Sequence, residues 1–374
     1  MTESPPYRFR TPDRSRLAVW LIVALLVIGA GWTLRIMAPV VIPVIFACLA
    51  VLAVSPLDLR MRRLLPEALA WVAHLFSVLL ILLVILAFIA TIGYAAQQVL
   101  AEMPRLSERV SSFWSDSRAG ASGNGTEGFA ASLKRIWSEA GGSLTNWAID
   151  GATTIARASV ALTGAFLTST LLILFIAFMA LSELGDWRTK FSSLWSPKSQ
   201  SAWIEGLQGL SLRLRQFLLI RTVVGLLQAA LYVAWLALFG VDLLLVWGVL
   251  TFVLTYIPTL GSVIAGTLPI VFALMTHDPL TVLGIAAGIL VIEQVVGNYV
   301  DPVLLGQRLV ISPLVILISL LFWGWYWGVA GAFLATPLTL TFLVLCNRIP
   351  PLRPVALLLS NQPSEDALDT ALRR

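Results

Sequence analysis

Polar side chains that could bind or carry an ion lie at the end of one apolar run of the chain, residues 279–296. Glu293 and Gln294 fall within this run, and Asn298 and Asp301 follow shortly after it. A charged group in hydrocarbon costs at least about 2.5 kcal/mol, so each of these residues is a candidate for function. Such a patch could bind a cation, carry a proton, or form hydrogen bonds with a hydroxylated solute.

Helical spacing divides these side chains between two adjoining faces. Glu293, Gly297 and Asp301 follow one another at intervals of four residues and are predicted to share one face, whereas Gln294 and Asn298 share the next. The spacing therefore predicts a polar patch at one end of the helix that carries Glu293.

A structural interpretation of the same side chains stays open. Glu293 could form only interhelical hydrogen bonds, or its carboxylate could pair with Arg308 at the inner surface of the membrane. Gln228 lies in another apolar run, where a glutamine is typical of hydrogen bonding between two helices, and a ligand role is the alternative.

Two interruptions of the apolar runs in the C-terminal half could shape a site. Pro258 and Gly261 lie between two short apolar runs and predict a broken or re-entrant pair of helices. Leu309–Asn347 carries no formal charge and would form about 58 Å of helix, roughly twice the thickness of the hydrocarbon core. The chain must therefore turn back there, and Gly324 and Gly328 mark the expected position.

The composition places the chain in a bilayer. Of its 374 residues, 58% are hydrophobic and 12% are charged, whereas a soluble domain has about 25% charged residues. Its net charge of +5 comes from basic residues scattered among loops and ends, so nucleic-acid binding is not expected. Phosphate-loop, zinc-protease and GxSxG motifs are absent, and two histidines are too few for a usual catalytic zinc site. We therefore expect no catalytic residue, no cofactor and no metal.

About eight membrane-spanning helices are expected to position the polar residues, because a span needs roughly 20 apolar residues. The fold class is therefore all-α, a polytopic membrane protein with broken or re-entrant helices in its C-terminal half. The predicted organisation has seven segments: an N-terminal tail (1–16), three spans (17–101), an insert (102–157), a fourth span (158–182), a loop with an amphipathic helix (183–216), the C-terminal membrane core (217–347) and a second tail (348–374).

Basic residues cluster beside alternate ends of the spans and predict the orientation of the chain. Arginines precede the first span, follow the second and fourth spans, and recur at the C-terminal end. The positive-inside rule places these clusters in the cytoplasm, so both termini are predicted inside and the 102–157 insert outside.

Apolar spacing also predicts helices outside the bilayer. Within the insert, residues 104–114 and 129–149 are predicted to form surface helices around a centre rich in serine and glycine. Residues 203–216 are predicted to form an interfacial helix leading into the fifth span, with three leucines on one face, namely Leu207, Leu210 and Leu214.

Short motifs follow one another over about residues 203–345. They are Leu214-Arg215-Gln216, Gly225, Gly240, Trp247-Gly248, Tyr256-Ile257-Pro258, Gly261, Pro269, Gly297-Asn298-Tyr299-Val300-Asp301-Pro302, Gly306, Ser319-Leu320-Leu321-Phe322-Trp323-Gly324-Trp325 and Thr336-Pro337-Leu338-Thr339. Each motif is weak alone, but their order and spacing together resemble the autoinducer-2 exporter-like (AI-2E) family of permeases.

The resemblance implies a helical protein of the bacterial cytoplasmic membrane with about eight spans. Family members are linked to export of the quorum-sensing furanone autoinducer-2, and others to sodium/proton antiport. They are thought to work without ATP and to form homo-oligomers, with pentamers expected. The sequence departs from the family at Thr255, where asparagine is frequent, and Glu293-Gln294 stands where members vary. The resemblance therefore implies the fold of the family for this chain, but it does not imply which solute the chain carries.

Three functions fit these patterns. The first is a secondary transporter that exports a small solute from a site between the Pro258–Gly261 break and the helix of Glu293. The second is an antiporter that exchanges a monovalent cation such as sodium for a proton through Glu293 and Asp301. The third is an oligomeric membrane scaffold that docks partners through residues 102–157. All three place the chain in a lipid bilayer.

Overall fold

The computed structural model describes residues 14–66, 69–119, 150–151, 154, 163–193, 197–258, 260–305 and 310–373. Within these ranges the chain is built from helices and contains no β-sheet. The principal helices, numbered here in chain order, are α1 (Arg14–Ile36), α2 (Ala38–Leu64), α3 (Ala70–Ala119), α4 (Thr163–Ser193), α5 (Pro197–Leu238), α6 (Leu244–Leu254), α7 (Leu260–Thr276), α8 (Pro279–Val295), α9 (Asp301–Leu305), α10 (Pro313–Arg348), α11 (Arg353–Leu359) and α12 (Glu365–Arg373).

Long apolar helices confirm an all-α polytopic membrane protein. Five segments of the described chain are long and apolar enough to cross a membrane: Ala38–Leu64, Trp71–Ala101, Ile204–Leu238, Pro279–Val300 and Pro313–Arg348. Shorter apolar helices occupy Thr168–Glu183, Leu244–Leu254 and Leu260–Leu274. Large apolar side chains such as Leu83 and Phe175 point outward, with 63% of each exposed. Outward apolar faces of this kind are suited to contact with lipid. Helices can lie in lipid because they satisfy their backbone hydrogen bonds internally.

Helix α3 continues well beyond the run predicted to cross the membrane. It contains 50 residues and is about 75 Å long. The helix predicted at 104–114 is present, and it forms as a continuation of α3. A helix satisfies its own backbone on leaving hydrocarbon, so a charged residue such as Glu102 need not end it. The predicted helix at 129–149 lies outside the described residues.

Helix α5 joins the predicted amphipathic stretch and the fifth span in one continuous helix of 42 residues. The predicted apolar face is only partly shared, since Leu210 and Leu214 are buried whereas Leu207 is 46% exposed. The buried pair packs in one cluster with Leu368 and Leu372 of α12. This face therefore packs on α12, whereas the spacing predicts a helix at the membrane interface.

The C-terminal segment, predicted only as a tail, packs against the N-terminal end of α10. Ser312 N–H donates to the Leu359 carbonyl oxygen at 3.1 Å, and Asn361 N–H donates to that of Val310 at 2.9 Å. These bonds fix α11 beside the start of α10, and α12 packs on α5.

The break predicted at Pro258–Gly261 is confirmed as the turn of a helical hairpin, named here the first hairpin (α6, α7 and their connection). Helix α6 ends at Leu254 and α7 begins at Leu260. A Cβ placed on Gly261 would lie 1.8 Å from the Leu254 carbonyl oxygen, so the two arms touch. Only glycine permits this approach.

The turn predicted near Gly324–Gly328 is also confirmed, and it divides α10 into the two arms of a second hairpin. Trp327 (φ −123°, ψ 16°) and Gly328 (φ 63°, ψ −142°) leave helical geometry. Gly328 therefore adopts a conformation that is essentially restricted to glycine. A Cβ on Gly331 would lie 1.9 Å from the Trp323 carbonyl oxygen, whereas a Cβ on Gly324 would make an ordinary contact at 3.9 Å. The close approach thus falls at Gly331.

The two hairpins meet beside α5. The ring of Tyr256, in the turn of the first hairpin, stacks on Phe333 in the second arm of α10 with their centroids 6.0 Å apart. Both hairpins also pack against α5. Irregular backbone at membrane depth is tolerated only where protein covers it or water reaches it, so this junction is a natural place for a site.

Candidate functional site

Glu293 lies on α8 and faces α5, where two neutral side chains hold its carboxyl group. Its Oε1 accepts hydrogen bonds from Gln228 Nε2 at 2.6 Å and from Tyr232 Oη at 2.5 Å. Over the described ranges of the chain, no lysine or arginine forms an ion pair with Glu293. The carboxyl group is therefore held by donors that carry no charge.

The sequence of α5 explains why both donors reach the same oxygen atom. Gln228 and Tyr232 are four residues apart, which places them on one helical face. Tyr232 is fully buried and Gln228 is 4% exposed. A buried polar group needs a hydrogen-bond partner, and the carboxyl group of Glu293 supplies one to each of them.

A close approach between α8 and α5 brings these groups together. A Cβ on Gly288 would lie 1.9 Å from the ring of Trp235, and one on Gly284 would lie 3.0 Å from Phe239. Trp235 Nε1 also donates to the Ile285 carbonyl oxygen at 3.3 Å. Small residues four apart thus let the two helices pack closely, as the Gly284–Gly288 spacing predicts.

The first hairpin adds a third element to the site. Thr255 Oγ1 lies 3.2 Å from Gln228 Oε1 and 2.7 Å from the Thr251 carbonyl oxygen. A hydroxyl group has one proton, so Thr255 donates to one of these acceptors at a time. The Thr251 hydroxyl is buried and has no hydrogen-bond partner in the described structure. A polar chain therefore runs from Glu293 through Gln228 to the hairpin.

The tip of the first hairpin is bonded to α5 as well. Tyr256 Oη and Thr222 Oγ1 are 2.6 Å apart, and the Tyr256 ring is the one that stacks on Phe333. Movement of either hairpin would therefore disturb contacts close to Gln228. Neither tyrosine of the site, Tyr232 or Tyr256, was among the residues predicted to be functional, because tyrosine is common in spans.

Asp301 forms a separate contact with α5. Arg221 Nη1 lies 3.1 Å from Asp301 Oδ2 and 3.5 Å from Oδ1, and the guanidinium group lies over the ring of Phe217 at 5.7 Å. A π-helical turn, Val296–Val300, separates Asp301 from Glu293. The two acidic residues thus meet the same helix at different levels.

Gln294 and Asn298 lie outside this site. Both side chains are exposed, and Asn298 Nδ2 donates to Gln294 Oε1. The predicted adjoining faces therefore differ in surroundings, with one packed on α5 and the other directed outward. Arg308, the alternative partner for a carboxylate, lies outside the described residues.

A second buried polar cluster joins α2 and α3. Asp58 Oδ1 lies 3.0 Å from His74 Nδ1 and accepts a hydrogen bond from Ser77 Oγ at 3.2 Å. All three are buried, with Asp58 3% exposed. Ser77 bonds to Asp58 rather than to the imidazole, so the cluster lacks the order of a catalytic triad. Asp58 and His74 belong to separate apolar runs, and nothing in their local sequence predicts that they pair.

The chemistry available at Glu293 is proton exchange and hydrogen bonding. Across the described segments, no group of three or more His, Cys, Asp or Glu side chains is placed to hold a metal ion. A carboxyl group can gain or lose a proton, and the amide of Gln228 and the hydroxyls of Tyr232 and Thr255 can bond a polar solute.

Buried polar groups beside broken, membrane-spanning helices are the architecture of a membrane transporter. The AI-2E family of transporters matches residues 18–350, and the chain belongs to that family. The family inferred from the motifs of residues 203–345 is thereby confirmed, and the match extends over most of the chain.

Relatives of the chain are transport proteins of bacteria. It is 32% identical to the AI-2 transport protein TqsA of Escherichia coli over 198 residues, 52% of this chain and 56% of that protein. It is 29% identical over 352 residues to a Haemophilus influenzae protein whose name assigns it provisionally to transport, covering 91% of this chain and 95% of that protein. With TqsA and with a Borreliella burgdorferi relative, the chain aligns over about half their length.

Proposed function

We propose that this protein is a secondary transporter in which Glu293 exchanges a proton as a small polar solute crosses the membrane. The observation that carries the proposal is the carboxyl group of Glu293, which lies among neutral donors between two packed membrane helices. An acidic side chain inside a span is costly and is a functional group by default. No lysine or arginine of the described chain pairs with this carboxyl group, so a change in its protonation breaks no ion pair.

The two hairpins support transport over a purely structural role. Discontinuous helices in transporters bring backbone ends and polar side chains to the middle of the membrane, where solutes and coupling ions bind. Here the turn of the first hairpin carries Thr255, whose hydroxyl reaches Gln228. A solute that hydrogen-bonds Gln228 would compete with both Thr255 and Glu293, so solute binding and proton binding would be linked.

The solute we propose is a small hydroxylated molecule such as autoinducer-2, exported from the cell. The neutral donors and acceptors around Glu293 fit hydroxyl groups, which both donate and accept hydrogen bonds. The name of the E. coli relative, AI-2 transport protein, points the same way.

The test is flux through the purified protein in proteoliposomes containing a trapped pH indicator. Autoinducer-2 and sodium ions are supplied in separate arms, each with and without an imposed proton gradient. The proposal predicts that autoinducer-2 moves faster with the gradient and that protons move in the opposite direction. Proton movement driven by sodium alone would favour the antiporter, and flux of neither probe through inserted protein would favour the scaffold.

We also propose that the protein lies in the bacterial cytoplasmic membrane as a homo-oligomer, with both termini in the cytoplasm. In a background that lacks Cys48 and Cys346, a cysteine replacing His277 between α7 and α8 should react with an impermeant thiol reagent added to intact cells. A cysteine replacing Pro363 before α12 should react only after the cells are opened. The positive-inside rule sets this expectation, and the reversed pattern of labelling would contradict it.

A further inference from the structure

We propose that Arg221 and Asp301 form an ionic latch that closes the cytoplasmic approach to Glu293, with the π-helical turn Val296–Val300 as the joint at which the latch opens. The inference rests on the proposed function and orientation, and it assigns a gate to them. It concerns a pair of charged side chains that the hydrogen bonds around Glu293 do not include.

The latch and the Glu293 site both connect α5 to the segment that runs from α8 through the π-helical turn into α9. On α5, Gln228 lies seven residues after Arg221, and Tyr232 lies eleven residues after it. These offsets correspond to about 700° and 1100° of helical rotation, which are close to two and three full turns. The three side chains therefore form one stripe along the helix. Glu293 contacts the C-terminal end of this stripe, at Gln228 and Tyr232, and Asp301 contacts its N-terminal end, at Arg221. The two levels are about 10 Å apart along α5.

The π-helical turn brings both acidic side chains to that stripe. Asp301 lies eight positions after Glu293. In a regular α-helix their side chains would therefore point in directions about 80° apart around the helix axis. A π-helical turn contains about one more residue than an α-helical turn, so it reduces this offset. Such turns are frequent at functional sites, and this one brings Asp301 more closely into line with Glu293 on the side of the helix that the two residues already share.

The surroundings of the pair suit a contact that is closed at rest yet able to open. The Arg221 side chain is 10% exposed and its Nε has no hydrogen-bond partner in the part of the chain described, whereas 22% of the Asp301 side chain is exposed. A buried guanidinium without its carboxylate is unfavourable, which keeps the latch shut. Glu293 lies before the π-helical turn and is bonded to Gln228 and Tyr232. The segment that carries Asp301 can therefore move without displacing Glu293.

The test measures access to a position between the two contacts. Val224 lies three residues after Arg221 and is 1% exposed. In a background lacking Cys48 and Cys346, Val224→Cys is exposed to an impermeant thiol reagent from the cytoplasmic side in inside-out vesicles. Arg221→Gln and Asp301→Asn should each speed labelling by at least about tenfold, by raising the open population. The double variant Arg221→Asp/Asp301→Arg should restore slow labelling.

The joint is tested with a matched pair of changes at Gly297, where an added Cβ would meet nothing within 4 Å. Deleting Gly297 removes the extra residue and should turn Asp301 away from Arg221, giving fast labelling of Cys at position 224. Gly297→Ala keeps the residue and should label as slowly as the unaltered helix.

Unchanged labelling in the two single charge variants would overturn the latch. If those variants fail to assemble, the double variant decides: slow labelling supports the latch, and fast labelling contradicts it. Because labelling needs no solute, its result is independent of the flux experiment, and failure of the latch is distinguishable from failure of the proposed transport.

Discussion

Replacing Glu293 by glutamine is expected to leave the protein folded and inserted while proton-driven flux of its solute falls about tenfold to a hundredfold. This range corresponds to the coupling free energy of about 1–3 kcal/mol that typically links two binding events, here those of the proton and the solute. Glutamine keeps an oxygen that can accept hydrogen bonds from Gln228 and Tyr232, but it cannot gain or lose a proton. The measurement is the initial rate of solute flux in proteoliposomes with an imposed proton gradient.

Gln294→Leu is the matched control for this variant. It removes a polar side chain one residue further along the same helix, from the exposed face that the structure separates from the site. We expect Gln294→Leu to transport at the rate of the unaltered protein. Equal flux in the Glu293 and Gln294 variants would show that Glu293 has no part in coupling.

Replacing Gly331 by alanine is expected to disrupt the second hairpin. The added Cβ would lie 1.9 Å from the Trp323 carbonyl oxygen, which is far inside van der Waals contact and involves backbone that cannot rotate away. Overpacking of this kind costs about 1–3 kcal/mol, occasionally more. We expect a lower melting temperature and less folded protein on size-exclusion chromatography. Gly261→Ala should have a similar effect on the first hairpin.

Gly93→Ala tests whether such losses come from the hairpins. Gly93 lies in α3, where an added Cβ would meet nothing within 4 Å. Alanine is favoured over glycine inside a helix by about 1 kcal/mol, so this variant should be as stable as the unaltered protein or more so. Normal melting of Gly331→Ala would contradict the close approach of the hairpin arms.

Much of the architecture could be predicted from the sequence because the bilayer limits the possibilities. A chain of this hydrophobicity must form helices in lipid, and an uncharged run of twice the membrane thickness must turn. The second argument placed the turn near Gly328, and the proline and glycine between two short apolar runs placed the break near Pro258. Glu293 is a candidate from the sequence alone, because a carboxyl group inside an apolar run is costly.

The partners of Glu293 could not be predicted because they depend on contacts between distant segments. Gln228 and Tyr232 lie about 60 residues earlier in the chain, and nothing in their local sequence indicates which helix they meet. The π-helical turn was also invisible to an analysis that assumes regular helical spacing. The spacing placed Asp301 and Glu293 on one face, and both do contact α5, but it gave no sign that Asp301 has a separate partner in Arg221.

Helix ends were predicted least well, for a related reason. Charged residues mark where a helix leaves hydrocarbon, but they do not stop it. Helix α3 therefore continues to Ala119, and α5 begins at Pro197, well before its membrane-spanning part. Charge does not predict exposure either, since Asp58 lies within α2 and is buried against His74.

The most direct test of the central claim is infrared difference spectroscopy of the purified protein after a change of pH. The spectra of the unaltered protein and of Glu293→Gln are compared in the region where protonated carboxyl groups absorb. If Glu293 exchanges a proton within its site, the unaltered protein shows a carboxyl band that responds to pH and that the glutamine variant lacks. Identical difference spectra for the two proteins would contradict the account.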